Sequence, residues 1–105
     1  MVGDIYLAKI YFTNLREYKI RPVLVIKQLG RDYICLQLTS QLKSKKLTLS
    51  NADVIKGKLN KESLVVVPKN FTLHESILFK YIATINKDKF NEITIEFCKQ
   101  LDCIK

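Results

Sequence analysis

The sequence predicts a mostly β domain, a small and mainly antiparallel barrel with one C-terminal helix. Short apolar stretches rich in β-branched and aromatic residues follow one another along residues 5–85, with polar turns and loops between them. After residue 86 the apolar residues fall at helical spacing instead. Many short strands followed by a single terminal helix are typical of a small antiparallel barrel.

Length and composition indicate one globular domain, which we expect to span residues 1–105. The chain has 105 residues, 48% of them hydrophobic and 27% charged. Its longest apolar runs, residues 23–26 and 64–67, are far too short to span a membrane, and no signal-peptide pattern opens the chain. Cys35, Cys98 and Cys103 are odd in number and widely spaced, which argues against a disulfide framework and, with one histidine, against a zinc site. Free thiols favour the cytoplasm.

The first two predicted strands flank a polar loop. Residues 5–12 are apolar on both faces, so we expect a strand near the middle of the sheet, and residues 13–20 read as a loop. The stretch Arg21-Pro22-Val23-Leu24-Val25-Ile26 opens a second strand that runs to about residue 28 and is buried on both faces. Pro22 lacks an N–H and should stand at the strand start rather than in a central ladder. Arg21 at its mouth is well placed to meet a phosphate.

A hairpin is predicted to bring Arg21 close to Thr39. Residues 29–32 form a turn, and the third strand carries Thr39 on the face opposite its main apolar residues. Arg21 precedes Gly30 by nine residues and Thr39 follows it by nine, so a hairpin centred there sets the two opposite each other. A cation facing a hydroxyl makes a pocket for a phosphate. Taken singly, each also fits a plain structural interpretation: a surface arginine and an ordinary strand threonine.

The rest of the chain supplies short strands and the closing helix. We expect polar, basic loops at residues 40–46 and 50–61, and strands at 47–49, 63–67 and 71–73, with residues 68–70 ending the second of these. Residues 76–85 form a helical turn followed by a strand. Asn86 is the predicted N-cap of a helix over residues 87–101, whose apolar stripe is Phe90, Ile93, Phe97 and Leu101.

The net charge indicates the kind of partner that the protein binds, and the absence of common catalytic motifs limits the reactions it could catalyse. The net charge is +8, which suits a polyanion or an acidic protein. The sequence contains no GxSxG, P-loop or HExxH motif. His74 is the one histidine, so acid–base chemistry with two histidines is excluded within one chain.

Gly3-Asp4-Ile5, the stretch from Arg21 to Ile26, and Leu38-Thr39-Ser40-Gln41 together resemble the signature of the MazF/PemK/Kid toxins. Residues 59–67, 71–73 and the closing helix fit the same pattern, so the resemblance covers nearly the whole chain. It implies an SH3-like barrel with added helix, shared with the CcdB gyrase poisons, and a homodimer. It also implies an endoribonuclease that needs no metal or other cofactor, cutting single-stranded mRNA to 2′,3′-cyclic phosphate and 5′-hydroxyl ends. The resemblance further implies that the protein is held inactive by an acidic antitoxin whose tail folds onto the toxin.

Carried over residue by residue, the resemblance implies catalytic roles for Arg21 and Thr39. Glu17 matches a carboxylate that some members carry in the first loop, although its spacing to Arg21 is one residue shorter and the loop at residues 13–20 lacks the family's Pro and Gly. We expect Glu17 to act as the base. Phe12 and Tyr18 are expected to stack bases. Further RNA contacts are expected at Lys19, Ser40, Gln41, Lys43, Lys45 and Lys46.

Two other functional classes stay open at this point. One is a gyrase-poisoning toxin of the CcdB type, which acts through its terminal helix and needs no Arg–Thr pair. The other is a basic RNA-binding barrel without catalysis. Cleavage of RNA by the purified protein would separate the toxin endoribonuclease from both of these classes.

Overall fold

The computed structural model describes residues 1–11, 16–41 and 47–101, and within them seven strands form one curled, half-barrel sheet. Every strand pair is antiparallel, and the strand order across the sheet is β4-β6-β3-β2-β1-β7-β5. The predicted mostly β fold with a C-terminal helix is therefore confirmed. The elements are β1 Asp4–Tyr11, β2 Tyr18–Leu29, β3 Asp32–Thr39, β4 Thr48–Leu49, β5 Val54–Gly57, β6 Ser63–His74, β7 Leu78–Ile85 and α1 Lys87–Gln100, with 3₁₀ turns at Asn51–Asp53 and Glu75–Ile77.

Apolar side chains fill both faces of the central strands. One cluster gathers Ile5, Leu24 and Leu36 of the sheet with Ile93 of α1, each fully buried. The opposite face carries a second buried cluster made of Ala8, Val23, Val25, Tyr33, Cys35 and Leu78. This two-sided burial explains why β2 reads as a continuous apolar run rather than an alternating one. No helix in the described ranges is long and apolar enough to cross a membrane.

Strand β2 begins earlier than the sequence predicted. Residues 18–20, expected in the loop, pair with β1 from Tyr11 to Lys9, so the loop boundary at Ile20 was wrong. Pro22 lies inside the strand, not at its start, which is a second correction. The proline is tolerated because pairing with β3 first appears at Val23↔Gln37, so no β3 ladder bond is lost to its missing N–H.

Two further boundaries differ from expectation. The predicted loop at residues 50–61 contains a 3₁₀ turn and strand β5, which pairs with β7. The predicted break at residues 68–70 lies inside β6: its register jumps from Leu38↔Val65 to Leu36↔Asn70, so residues 66–69 bulge opposite Gln37. A bulge relieves its residues of ladder bonds, which is why a proline fits there without ending the strand.

The C-terminal prediction is largely confirmed. A 3₁₀ turn precedes β7, and Asn86 caps α1 by accepting a 2.7 Å hydrogen bond from the Lys89 N–H through its side-chain oxygen. Phe90 and Phe97 pack against the buried cluster around Ile93. Leu101 was wrongly placed on the buried stripe, because it follows the end of α1 and is half-exposed.

Candidate active site

Strands β2 and β3 separate at one end of the hairpin and leave a cavity between them. Their pairing runs from Leu29↔Asp32 to Val23↔Gln37. Beyond that point β2 continues along β1, and β3 continues along β6 through Thr39↔Leu64. The fork opens a cavity of about 570 Å³, called the cleft from here on. It is lined by Leu7, Arg21, Pro22, Gln37, Leu38, Thr39, Ser40, Gln41, Leu59, Asn60, Lys61, Ser63 and Ile82.

The cleft brings Arg21 and Thr39 together, and a bulge sets their register. The hairpin loop consists of Gly30 and Arg31, with Gly30 at the positive φ that a tight turn of this kind requires. If the register beside the loop, Leu29↔Asp32, continued unchanged along both strands, it would set Arg21 opposite Ser40. The register shifts by one residue between Val25 and residue 27. Extended by two residues along each strand from Val23↔Gln37, this register sets Arg21 level with Thr39, where the two strands no longer pair.

The Thr39 hydroxyl is oriented by the chain that follows it. Its Oγ1 accepts a 3.2 Å hydrogen bond from the backbone N–H of Gln41. A threonine hydroxyl that accepts such a bond still has its own proton to donate. Thr39 and Arg21 are both partly buried, so solvent only partly competes for these groups.

The electrostatics of the cleft suit an anion. Its charged lining residues are Arg21 and Lys61, and no carboxylate lines it within the part of the chain that the structure describes. Lys61 was missed as a site residue, because the sequence showed only a basic loop. The missing information was tertiary: the Asn51 side chain donates to the Leu59 carbonyl at 2.9 Å and accepts from the Leu59 N–H at 2.8 Å. This pair of bonds anchors buried Leu59 and so fixes where the following residues reach the cleft.

The other predicted site residues are distributed unevenly. Ser40 and Gln41 line the cleft, whereas Glu17, Tyr18 and Lys19 are exposed and do not line it. The ring of Tyr18 instead lies against Tyr11 of β1. Four predicted RNA contacts fall outside the described residues, namely Phe12, Lys43, Lys45 and Lys46.

Three solved structures that share this fold are two endoribonucleases and a MazF toxin. An endoribonuclease from a mycobacterial species superposes with a TM-score of 0.70 at 15% identity, covering 97% of this chain and 90% of that one. An endoribonuclease in complex with its cognate antitoxin, from a mycobacterial species, gives 0.73 at 16%, covering 100% and 97%. Mycobacterium tuberculosis toxin MazF-mt6 gives 0.68 at 13%, covering 92% and 96%. At these identities the likeness shows the fold.

Sequence comparison gives the family directly. No curated protein matches the chain. The profile of the family described as PemK-like, MazF-like toxin of type II toxin-antitoxin system matches residues 1–101, nearly the full length, and confirms the resemblance drawn from the Arg21 and Thr39 motifs. The chain therefore belongs to the PemK-like, MazF-like toxin family of type II toxin–antitoxin systems.

Proposed function

We propose that this toxin is a sequence-specific, metal-independent endoribonuclease that cuts single-stranded mRNA, leaving 2′,3′-cyclic phosphate and 5′-hydroxyl ends. The observation that carries the proposal is the cleft, where Arg21, Thr39 and Lys61 line one cavity and no carboxylate lines it among residues 1–11, 16–41 and 47–101. Such a site attracts a phosphodiester and offers donors to its oxygens. Family membership and neighbours that are themselves endoribonucleases support it.

The reaction is attack of a ribose 2′-hydroxyl oxygen on its own 3′-phosphorus. The new P–O bond closes the cyclic phosphate, the P–O5′ bond breaks, the 2′-hydroxyl gives up its proton, and the 5′-oxygen takes one up. Arg21 stabilises the extra negative charge on the phosphorane through two N–H donors. Thr39, whose Oγ1 accepts from the Gln41 N–H, donates a hydrogen bond through its hydroxyl to a non-bridging oxygen or helps to orient the 2′-hydroxyl. Lys61 adds a second positive charge to the cleft.

Glu17 keeps its predicted role as base only as a hypothesis. Its side chain is exposed and outside the cleft lining, so bound RNA would have to bring a 2′-hydroxyl to it. The test is the pH dependence of single-turnover cleavage in Glu17→Gln. A base role requires the acidic limb of the profile to disappear in this variant, whereas an unchanged profile assigns proton removal to another group or to water.

The proposal is tested by incubating the purified protein with a long RNA in EDTA and mapping both new ends. We expect cuts at a short recurring sequence, with a cyclic phosphate on one side and a free 5′-hydroxyl on the other. RNA that binds without being cut would favour a non-catalytic RNA-binding barrel. Neither binding nor cutting, combined with inhibition of gyrase, would favour a CcdB-type poison.

A homodimer is the proposed assembly. One subunit of this size offers little concave surface for several nucleotides, and two clefts side by side would extend it. Light scattering at micromolar concentration should give twice the 12.2 kDa chain mass. A monomer mass under these conditions would contradict the proposal.

The proposed inhibitor is an acidic antitoxin with a disordered tail. One structural neighbour is itself in complex with its cognate antitoxin, and this chain carries a net charge of +8. A disordered acidic segment can wrap a basic surface and fold on binding. Co-expression with a cognate acidic antitoxin should restore growth, and the purified antitoxin should block cleavage. Unrelieved toxicity would remove the main support for this partner.

A further inference from the structure

The segment that carries Lys61 into the cleft is held by side-chain hydrogen bonds at two points. It connects β5 to β6 outside any strand, so ladder bonds do not fix it. The Asn51 side chain holds the backbone of Leu59 through the two bonds described above, and the Ser63 hydroxyl donates to the Lys61 carbonyl at 3.3 Å. Leu59 and Ser63 are both buried. Residues 59–63 are called the cleft wall below.

The turn that carries Asn51 is itself held in place. It follows Ser50, whose hydroxyl accepts from the Ala52 N–H at 3.3 Å and whose own N–H donates to the Asp53 carboxylate at 3.0 Å. This reciprocal pair is a capping box. The Asp53 carbonyl in turn accepts a 2.7 Å hydrogen bond from the backbone N–H of Asn86, next to the start of α1. The Asn51 amide therefore meets the cleft wall from a backbone that is tied to the helix.

We propose that Asn51 is a positioning residue, which holds Lys61 where its ammonium contacts an RNA phosphate in the cleft. The inference rests on the proposed ribonuclease function, because that function makes RNA the ligand of Lys61. Lys61 lines the cleft, whereas Asn51 does not. Asn51 therefore acts on the bound RNA through the backbone of Leu59 and not by direct contact.

The physical argument concerns how closely one cation is held to one phosphate. A lysine side chain is long and flexible, so its ammonium stays near a given phosphate only if the backbone beneath it is fixed. Without the Asn51 amide, the buried N–H and C=O of Leu59 would lose their partners and the wall would shift to satisfy them. The Lys61 charge would then spread over a larger volume and release fewer counterions from the RNA. A neutral side chain outside the cleft should therefore set the size of an electrostatic effect inside it.

The experiment measures how RNA affinity depends on salt. A 2′-O-methylated RNA dodecamer lacks the nucleophile, so it reports binding alone. Lys61→Gln should reduce the steepness of log affinity against log salt by about 0.7, the effect of one cation on a single strand, or about 2.6-fold less affinity lost between 50 and 200 mM salt. We expect the same reduction in Asn51→Ala, although this substitution removes no charge. The double variant should show no more than Lys61→Gln alone, because the two residues act as one unit.

The matched control is Asn86→Ala. It removes a side-chain bond to the Lys89 N–H, a bond of the same kind, but keeps the Asn86 backbone N–H that holds the Asp53 carbonyl. We expect Asn86→Ala to lower the melting temperature, as Asn51→Ala does, and to leave the salt dependence as in wild type. If Asn51→Ala does not fold, Asn51→Ser replaces it, since a shorter side chain cannot bond to both Leu59 groups. Circular dichroism and light scattering on every variant report fold and assembly.

Three results would overturn the inference. They are a wild-type salt dependence in folded Asn51→Ala or in Lys61→Gln, additive reductions in the double variant, or the same reduction in Asn86→Ala, which would make the effect one of general stability. Failure of the proposed function has a different signature: wild-type protein would bind the dodecamer and leave unmodified RNA intact. The salt dependence of binding still tests the role of Asn51 in that case.

Discussion

Arg21→Lys isolates what the arginine does in the cleft. The side chain is partly buried at a position where β2 is paired with β1 through Ala8↔Arg21, a contact of the backbone that the substitution leaves in place. Lysine keeps the charge, and Lys61 supplies a second one in the same cavity. Long-range attraction for RNA should therefore change little. What is lost is the planar fork that can hold two phosphate oxygens at once.

The expected magnitude follows from that loss. Removing one preorganised donor to a developing oxyanion costs about 2.7–4 kcal/mol, or roughly two to three decades in rate. We expect single-turnover cleavage to fall by this amount while the affinity for 2′-O-methylated RNA stays close to that of wild type. Both quantities are measured on the same preparation, in EDTA, with circular dichroism to check the fold.

Arg31→Lys is the matched control. Arg31 is exposed at the hairpin loop, and its Nε and Nη2 donate to Oε1 of Glu75 at 2.8 and 2.5 Å. An exposed ion pair of this kind contributes at most about 1 kcal/mol, so cleavage should survive in the control. If binding and cleavage in Arg21→Lys fall together by the same small factor, Arg21 only docks RNA and the catalytic group lies elsewhere.

Three further outcomes follow from the structure. Thr39→Val keeps the β-branched shape but removes the hydroxyl that accepts from the Gln41 N–H, so cleavage should fall strongly while the melting temperature moves little; wild-type turnover would make Thr39 purely structural. Gly57→Ala should destabilise the fold more than Gly30→Ala, because both have positive φ but only at Gly57 would the added Cβ collide with a backbone carbonyl; equal melting temperatures would contradict this. Burial raises the pKa of Cys35 from 9.0 to about 12, so the unfolded thiol ionises first as pH rises above about 9. The free energy of unfolding in urea should then decline from pH 8 to pH 10 more steeply in wild type than in Cys35→Ala, and parallel declines would refute the shift.

Local patterns were enough to predict most elements of the fold. Apolar runs marked the strands, and Asn86 with the helical spacing after it marked α1, because caps and periodicity act over a few neighbouring residues. The boundaries at residue 20 and at residues 68–70 were wrong because both depend on partners. Residues 18–20 become a strand through pairing with β1, and the bulge in β6 lets a proline stay inside a strand.

The candidate site was likewise predicted in part from the sequence and decided in part by tertiary structure. The sequence by itself determined the family, the basic charge and the choice of Arg21 and Thr39, since these rest on residue identity and on spacing within one hairpin. Tertiary structure alone decided that β2 and β3 part beyond Val23 to open the cleft, and that Lys61 reaches it from a segment anchored through Asn51. Strand separation and loop anchoring are set by contacts between distant segments, and a linear pattern of residue types carries no record of which segments will touch.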